Sequence, residues 1–258
     1  MPAVDELASR LHQAAMRGGY IPPLTDDDPA MDLEAGYAVQ DRVLQLRQAA
    51  GELLVGVKLG LTSRARQREM GGNEPLYGWL TDAMVLDVGT PLDVSTYGQP
   101  RVEPEIAFLL DRDLYGSGVT AAQVMAASSA IVPALEVMDS RYRNYSGKLP
   151  DLIADNASTA RFLLGATSAA PKGIDLRTIG CTFERNGELV DTAAGAAAFG
   201  HPAAAVAWVV RSLAKRDEGI EAGMVVLSGA LTSAVPVKSG DVIRATFDRL
   251  GTVKLECR

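Results

Sequence analysis

Apolar residues recur at helical spacing over residues 4–16, where Leu7, Leu11 and Ala14 or Ala15 share one face before the run stops at Arg17-Gly18-Gly19. A second helix is predicted over residues 32–50, with Leu33, Tyr37, Val43, Leu44 and Leu46 suited to a half-buried face and Gly51 as terminator. Between the two, Pro22-Pro23-Leu24-Thr25 and three aspartates read as an exposed connector. Beyond Leu53 the pattern changes to short β-prone runs at 54–59, 84–88, 101–110 and 131–138, punctuated by Gly and Pro, which predicts a mixed sheet. Thr120 offers a hydroxyl N-cap to a helix through Ala121-Ala122-Gln123-Val124-Met125. His201-Pro202 opens another, to about residue 216, because proline is tolerated in the first helical turn. Asn186-Gly187 marks a hairpin within residues 183–190, and runs at 242–247 and 252–257 flank Leu250-Gly251. No internal repeat or low-complexity linker divides the chain, which reads as an N-terminal helical part, residues 1–52, and one main domain, residues 53–258.

Composition narrows the class. The 258 residues are 47% hydrophobic, enough for a large core, and the formal net charge of −7 without a long Lys/Arg cluster argues against nucleic acid or an anionic membrane as partner. The start lacks the basic-then-apolar order of a signal peptide and no apolar run is long enough to span a bilayer, so a cytoplasmic location and a small-molecule partner are expected. Cys181 and Cys257 fit neither a disulfide framework nor a zinc spacing. With only His12 and His201 available, a bound metal would need oxygen ligands.

Such ligands are present. In Arg101-Val102-Glu103-Pro104-Glu105-Ile106 two glutamates stand two apart in a β-prone run, so both point to one face. Close like charges are unfavourable unless protonated or neutralised by a cation, and hard oxygen ligands select Mg²⁺, Mn²⁺ or Ca²⁺. Glu136 is an isolated acid in the apolar run Ala134-Leu135-Glu136-Val137-Met138 and needs a partner if buried. The alternative is a solvated edge for Glu103 and Glu105, with Glu136 paired to Arg141 or another base. Lys58, in Val57-Lys58-Leu59-Gly60, reads either as a buried proton donor or acceptor or as a snorkelling or acid-pairing lysine. The Ser228-Gly229-Ala230-Leu231-Thr232 segment is either a turn offering backbone N–H groups to a carboxylate or an ordinary tight turn.

Longer stretches carry a resemblance: 56–63, Tyr77-Gly78-Trp79-Leu80-Thr81-Asp82-Ala83-Met84, 100–108, 136–142, Ala154-Asp155-Asn156-Ala157-Ser158, Asn186-Gly187-Glu188, Gly200-His201-Pro202 and 236–241. Together they resemble the 2-oxo acid hydratases and decarboxylases of aromatic meta-cleavage pathways, within the fumarylacetoacetate hydrolase-like superfamily. The resemblance implies an α+β fold, a mixed β-roll with flanking helices and a small N-terminal helical part. It implies Mg²⁺ or Mn²⁺ on Glu103, Glu105 and Glu136, a 2-oxo acid chelated through its 2-oxo and carboxylate oxygens, and a proton-transfer role for Lys58. Asp82 and Asp155 match further catalytic positions. Ser158, Ser228, Gly229 and Thr232 are candidates for substrate binding, as is Arg161, which would orient a distal carboxylate.

Within that family, Asp139-Ser140-Arg141-Tyr142-Arg143-Asn144-Tyr145, Arg161 and residues 232–237 lean toward the 4-oxalocrotonate decarboxylases, whereas Gln99 and the 22–25 connector look hydratase-like. The expected reaction is decarboxylation of 4-oxalocrotonate; hydration of 2-hydroxypenta-2,4-dienoate is the alternative. The resemblance also implies a homo-oligomer and association with a companion hydratase or decarboxylase. Retention of Lys58 and all three glutamates weighs against a non-catalytic partner. A carbon-carbon hydrolase would want a histidine to activate water, and neither histidine is well matched.

Overall fold

The computed structural model describes residues 3–258. In chain order its helices are α1 (Val4–Arg17), α2 (Leu24–Asp27), α3 (Leu33–Ala49), α4 (Arg64–Glu69), α5 (Ala121–Ala126), α6 (Leu149–Ala154) and α7 (Pro202–Leu213). The strands are β1 (Leu54–Gly60), β2 (Leu76–Thr81), β3 (Val85–Leu86), β4 (Arg101–Leu110), β5 (Leu114–Tyr115), β6 (Ser128–Met138), β7 (Thr159–Leu164), β8 (Gly180–Arg185), β9 (Glu188–Ala194), β10 (Gly219–Ile220), β11 (Val225–Ala230), β12 (Val235–Pro236), β13 (Val242–Phe247) and β14 (Gly251–Glu256). One sheet runs β2-β1-β11-β4-β6-β7-β3 with β12 beside β4, a second runs β14-β13-β8-β9, and β10 pairs with β5. The β1–β11 and β3–β7 pairs are parallel while β4 is antiparallel to both its long neighbours, so the sheet is mixed as its pattern predicts.

Side-chain alternation on the long central strands decides what faces what. Val102, Ile106 and Phe108 of β4, Ile131, Leu135 and Val137 of β6, and Val57 and Leu59 of β1 enter the main core, which also takes Val206, Val209 and Val210 of α7 and Phe183, Ile243 and Val253 of the second sheet. The opposite face carries Ala107, Val132, Ala134, Phe162 and Leu227 in a smaller apolar cluster. Lys58, Glu103, Glu105 and Glu136 occupy that same opposite face by period two. Burial of Glu105 and Glu136 to 0% exposure removes the solvated-edge alternative, because β4 lies in the middle of the sheet.

Local signals placed the ends of elements well. Asp32 caps α3 through Ala35 N–H at 2.9 Å, Thr120 and Gln123 form a reciprocal capping box on α5, and His201 Nδ1 accepts from Ala203 N–H at the start of α7. Asn186 and Gly187 both adopt positive φ, 57° and 80°, as the two-residue hairpin turn requires.

Three expectations need correction. The 22–28 segment is not an exposed connector: Leu24 and Thr25 are buried in the short helix α2, and Thr25 donates from its N–H and its hydroxyl to Asp151 at 2.9 and 2.7 Å. Its burial depends on a partner 126 residues away, beyond the reach of local pattern. The 84–88 run supplies only the two-residue β3, because Asp82–Met84 form a 3-10 turn that buries Met84. On α3 the buried positions are Gly36, Val39, Gln40 and Val43, while Leu33 is 46% exposed. Gln40 reaches inward to donate to the carbonyls of Tyr77 and Ile153 at 3.0 and 2.8 Å. The N-terminal helices share a core with Tyr142 and Ala154, so they pack directly behind one wall of the site.

Candidate active site

Strand register brings the acids together. Glu103 of β4 lies directly opposite Glu136 of β6, and on the other flank Glu105 lies opposite Ala230, beyond a bulge in β11. Oxygen atoms of Glu103, Glu105 and Glu136 lie within 4.8 Å of one another. Lys58 approaches from β1, its Nζ 2.9 Å from Glu136 Oε1 and 3.3 Å from the Ala157 carbonyl. Thr159 donates its hydroxyl to the same Glu136 oxygen at 2.8 Å, and Gly229 N–H donates to Glu105 Oε2 at 2.6 Å. The two readings of Lys58 therefore merge: it is fully buried and it is the partner of an acid.

The electrostatics remain unbalanced. Three carboxylates face one ammonium, which leaves two formal negative charges among buried side chains. Burial and the Glu136 charge push Glu103 up to about 8, even against Lys58 and Arg66. Burial, Glu136 and Glu103 hold Glu105 well above the usual carboxylate range. For Lys58, burial works against the charge but the surrounding glutamates outweigh it, so the ammonium is favoured. Glu105 Oε1 and Glu136 Oε2 are buried without a hydrogen-bond partner. Orphaned carboxylate oxygens in an all-oxygen donor set with an excess of two charges fit a hard divalent cation such as Mg²⁺ or Mn²⁺.

These groups open on a 570 Å³ cavity, into which Lys58 and Glu103 project. Ser158 and Thr232, two of the candidates for substrate binding, line it. Gly229 is needed where it stands: its φ is +99°, and a Cβ there would lie 2.4 Å from Thr62 Oγ1. Ser228 is buried beside it with its hydroxyl unpartnered. Asp155 stands behind the wall, paired with Arg141 and accepting from the hydroxyls of Ser140 and Ser158 at 3.1 Å each. Burial raises its carboxyl against the pull of Arg141, and its two hydroxyl partners both belong to the cavity wall.

Two residues of the expected set lie elsewhere. Asp82 is exposed at the end of β2, where its carboxylate accepts from Leu53 N–H at 2.8 Å and ties the start of β1 to β2. Arg161 is paired across the ladder with Val137, a residue of the main core face, so it points away from Glu136. Its guanidinium donates to Tyr97 Oη at 2.9 Å and to the Ala83 carbonyl. Both histidines lie outside the cavity lining, His12 in α1 and His201 at the cap of α7.

Other residues of the site were given no individual role from the sequence. Arg66 and Arg101 line the cavity, as do Ser140 and Tyr145 of the decarboxylase-like 139–145 run. Arg101 had a legible signal, since it stands two residues before Glu103 and shares its face. Asn156, Ala157 and Ser158 form a run with φ of 54°, 52° and 62°, a left-handed conformation unusual for three consecutive non-glycine residues. Asn156 locks it by accepting from Trp79 N–H at 2.7 Å and donating to the Trp79 carbonyl at 2.9 Å. The turn presents the Ala157 carbonyl to Lys58 and Ser158 to the cavity. Sequence offers no sign of it beyond the tolerance of asparagine for positive φ.

Comparison with known proteins follows the same lines. The chain is 40% identical over 247 residues to a 4-oxalocrotonate decarboxylase of Pseudomonas sp. (strain CF600), covering 96% of this chain and 94% of the relative. It is also 40% identical over 252 residues to a 2-keto-4-pentenoate hydratase of Paraburkholderia xenovorans (strain LB400), covering 98% and 94%. The solved structure of 4-oxalocrotonate decarboxylase from Pseudomonas putida G7, complexed with magnesium and adipate, superposes with a TM-score of 0.96 at 38% identity, covering 99% of this chain and 97% of that one. The family described as Fumarylacetoacetate (FAA) hydrolase C-terminal matches residues 54–257, and with these relatives this means that the chain belongs to the fumarylacetoacetate hydrolase family.

Proposed function

We propose that the protein is a metal-dependent carbon-carbon lyase that decarboxylates 4-oxalocrotonate to 2-hydroxypenta-2,4-dienoate and CO₂. The observation that carries this reading is the convergence of Glu103, Glu105 and Glu136 with the buried Lys58 at the inner end of a cavity roomy enough for a small diacid. Glu103, Glu105 and Glu136 would hold the cation, whose Lewis acidity toward a 2-oxo group supplies the electron sink this chemistry needs. Loss of CO₂ breaks the bond to the distal carboxyl carbon, and the electron pair moves through the conjugated alkene to give a dienolate, which takes up one proton. Lys58, kept as an ammonium by its acidic neighbours, stands ready as the proton donor at the buried end. Ser158 and Thr232 offer hydroxyls to the substrate's polar groups, while Asp155 and Asn156 hold that wall in place.

Hydration of 2-hydroxypenta-2,4-dienoate is the second reading, favoured by equal identity to a relative named as a hydratase. Both reactions use the same inner end and differ in what the outer end must recognise. Purified protein with Mg²⁺ should release CO₂ from 2-oxohex-3-enedioate; absence of release together with rapid hydration of the dienoate would replace the first reading by the second. Self-association and pairing with a companion hydratase are proposed on family likeness, and sedimentation of the protein alone and with a hydratase would test both.

A further inference from the structure

From the outer end of the cavity we infer that Arg101 is the specificity-determining residue for a second carboxylate, so that the site selects dicarboxylic over monocarboxylic 2-oxo acids. The inference rests on the 2-oxo acid reading above and deepens it. Arg101 and Glu103 alternate on one strand and point to the same face, which places the arginine about 7 Å along β4 from the acid cluster. That span matches the separation of the two carboxylates in a short diacid, one end of which lies at the cluster. Across the ladder Arg101 lies opposite Met138, two residues from Glu136 and on its face, so two strands agree on the direction.

The guanidinium is held but not used. It sits 4.7 Å from the centroid of the Tyr145 ring, and Tyr145 is itself pinned by hydrogen bonds from its hydroxyl to the carbonyls of Gln99 and Met138 at 3.1 and 3.2 Å. Stacking on a fixed ring restrains the arginine with its donors free. Among the described residues no carboxylate pairs with Arg101 and no protein acceptor takes its hydrogen bonds, in contrast to Arg161, whose guanidinium is occupied by Tyr97 and Ala83. Arg66 lines the same cavity and adds positive charge near Glu103, although it is shared with Glu69 at 2.7 Å. A planar, permanently charged fork with its donors free matches a carboxylate bidentately.

The test compares two ligands with the same chelating head, 2-oxoadipate and 2-oxohexanoate, titrated calorimetrically into the Mg²⁺-loaded protein. The parent should bind the diacid at least about tenfold more tightly, as expected of a charge-assisted pair. Arg101→Gln should erase that preference by weakening the diacid alone, and Arg101→Lys should restore part of it by returning charge without the fork. A parent without preference, or a preference that survives in Arg101→Gln, overturns the assignment of Arg101. Failure of the parent to bind either acid overturns the 2-oxo acid reading itself, and this inference with it.

Discussion

At the inner end of the cavity charges are buried and answer one another: Lys58 against Glu136, Gly229 N–H against Glu105, Thr159 against Glu136. At the outer end Arg66 and Arg101 are exposed, and Arg101 rests on an aromatic ring, with no ion pair to an acid among the described residues. The difference separates two tasks. Buried charges interact strongly, so on the proposed reading the inner end supplies what both candidate reactions share. Exposed charges at a cavity mouth are screened and exchangeable, so on the same reading the outer end would select which acid is accepted. A family that shares one inner end can therefore contain both decarboxylases and hydratases.

The sharpest way to break this division is at Glu136. Glu136→Gln removes a proposed cation ligand and the counter-charge of Lys58 together, and should lower turnover by roughly a thousandfold, equivalent to several kcal/mol of lost transition-state stabilisation. Saturating Mg²⁺ should stabilise the parent by about 3–4 kcal/mol at a hundred to a thousand times its dissociation constant, and the variant should lose most of that gain in thermal melts. Unchanged Mg²⁺ affinity would remove Glu136 from the ligand set.

Lys58→Met separates chemistry from metal binding at the same end. Deleting a cation beside three carboxylates should not weaken Mg²⁺ binding, yet the loss of a positioned proton donor should cost about a hundredfold or more in turnover. Parallel loss of metal and activity would make Lys58 a structural counter-ion only.

Asn156→Ala tests whether the wall of the inner end is as fixed as its charges. It removes both clamps on Trp79 and replaces asparagine, which tolerates positive φ, by alanine, which does not. Urea unfolding should show a loss of about 2–4 kcal/mol, from two hydrogen bonds to the backbone of buried Trp79 and added strain. A variant as stable as the parent would mean that the left-handed run holds itself.

The same division explains what was legible in the sequence. Glu103, Glu105 and Lys58 stood out because a charge in an apolar run is a local anomaly. The caps at Asp32 and Thr120 and the Asn186-Gly187 turn were local as well. Arg101 and Arg161 both lie on β-strands next to apolar residues, and which of them faces the cavity follows from register: Arg101 opposite Met138, Arg161 opposite Val137. For Arg101 the alternation with Glu103 on its own strand already shows the face, whereas for Arg161 a shift of one residue would reverse the outcome and its own strand does not reveal it. Leu24, Thr25 and the left-handed turn were hidden for a related reason, since their partners Asp151 and Trp79 are distant in sequence.

Arg161→Gln carries the smallest expected effect and bears most directly on that register argument. Its side chain is half-buried on the far side of β7 from Glu136, and its contacts are a tyrosine hydroxyl and a backbone carbonyl. Losing them should lower stability by about 0.5–1.5 kcal/mol and leave turnover of the diacid within about twofold of the parent. Urea unfolding would read the first, and steady-state kinetics with diacid and monoacid substrates the second. If selectivity collapsed in Arg161→Gln while Arg101→Gln kept it, β7 would have to present Arg161 to the Glu136 face. The register that places Phe162 opposite Glu136 forbids this unless the strand shifts by one residue when substrate binds.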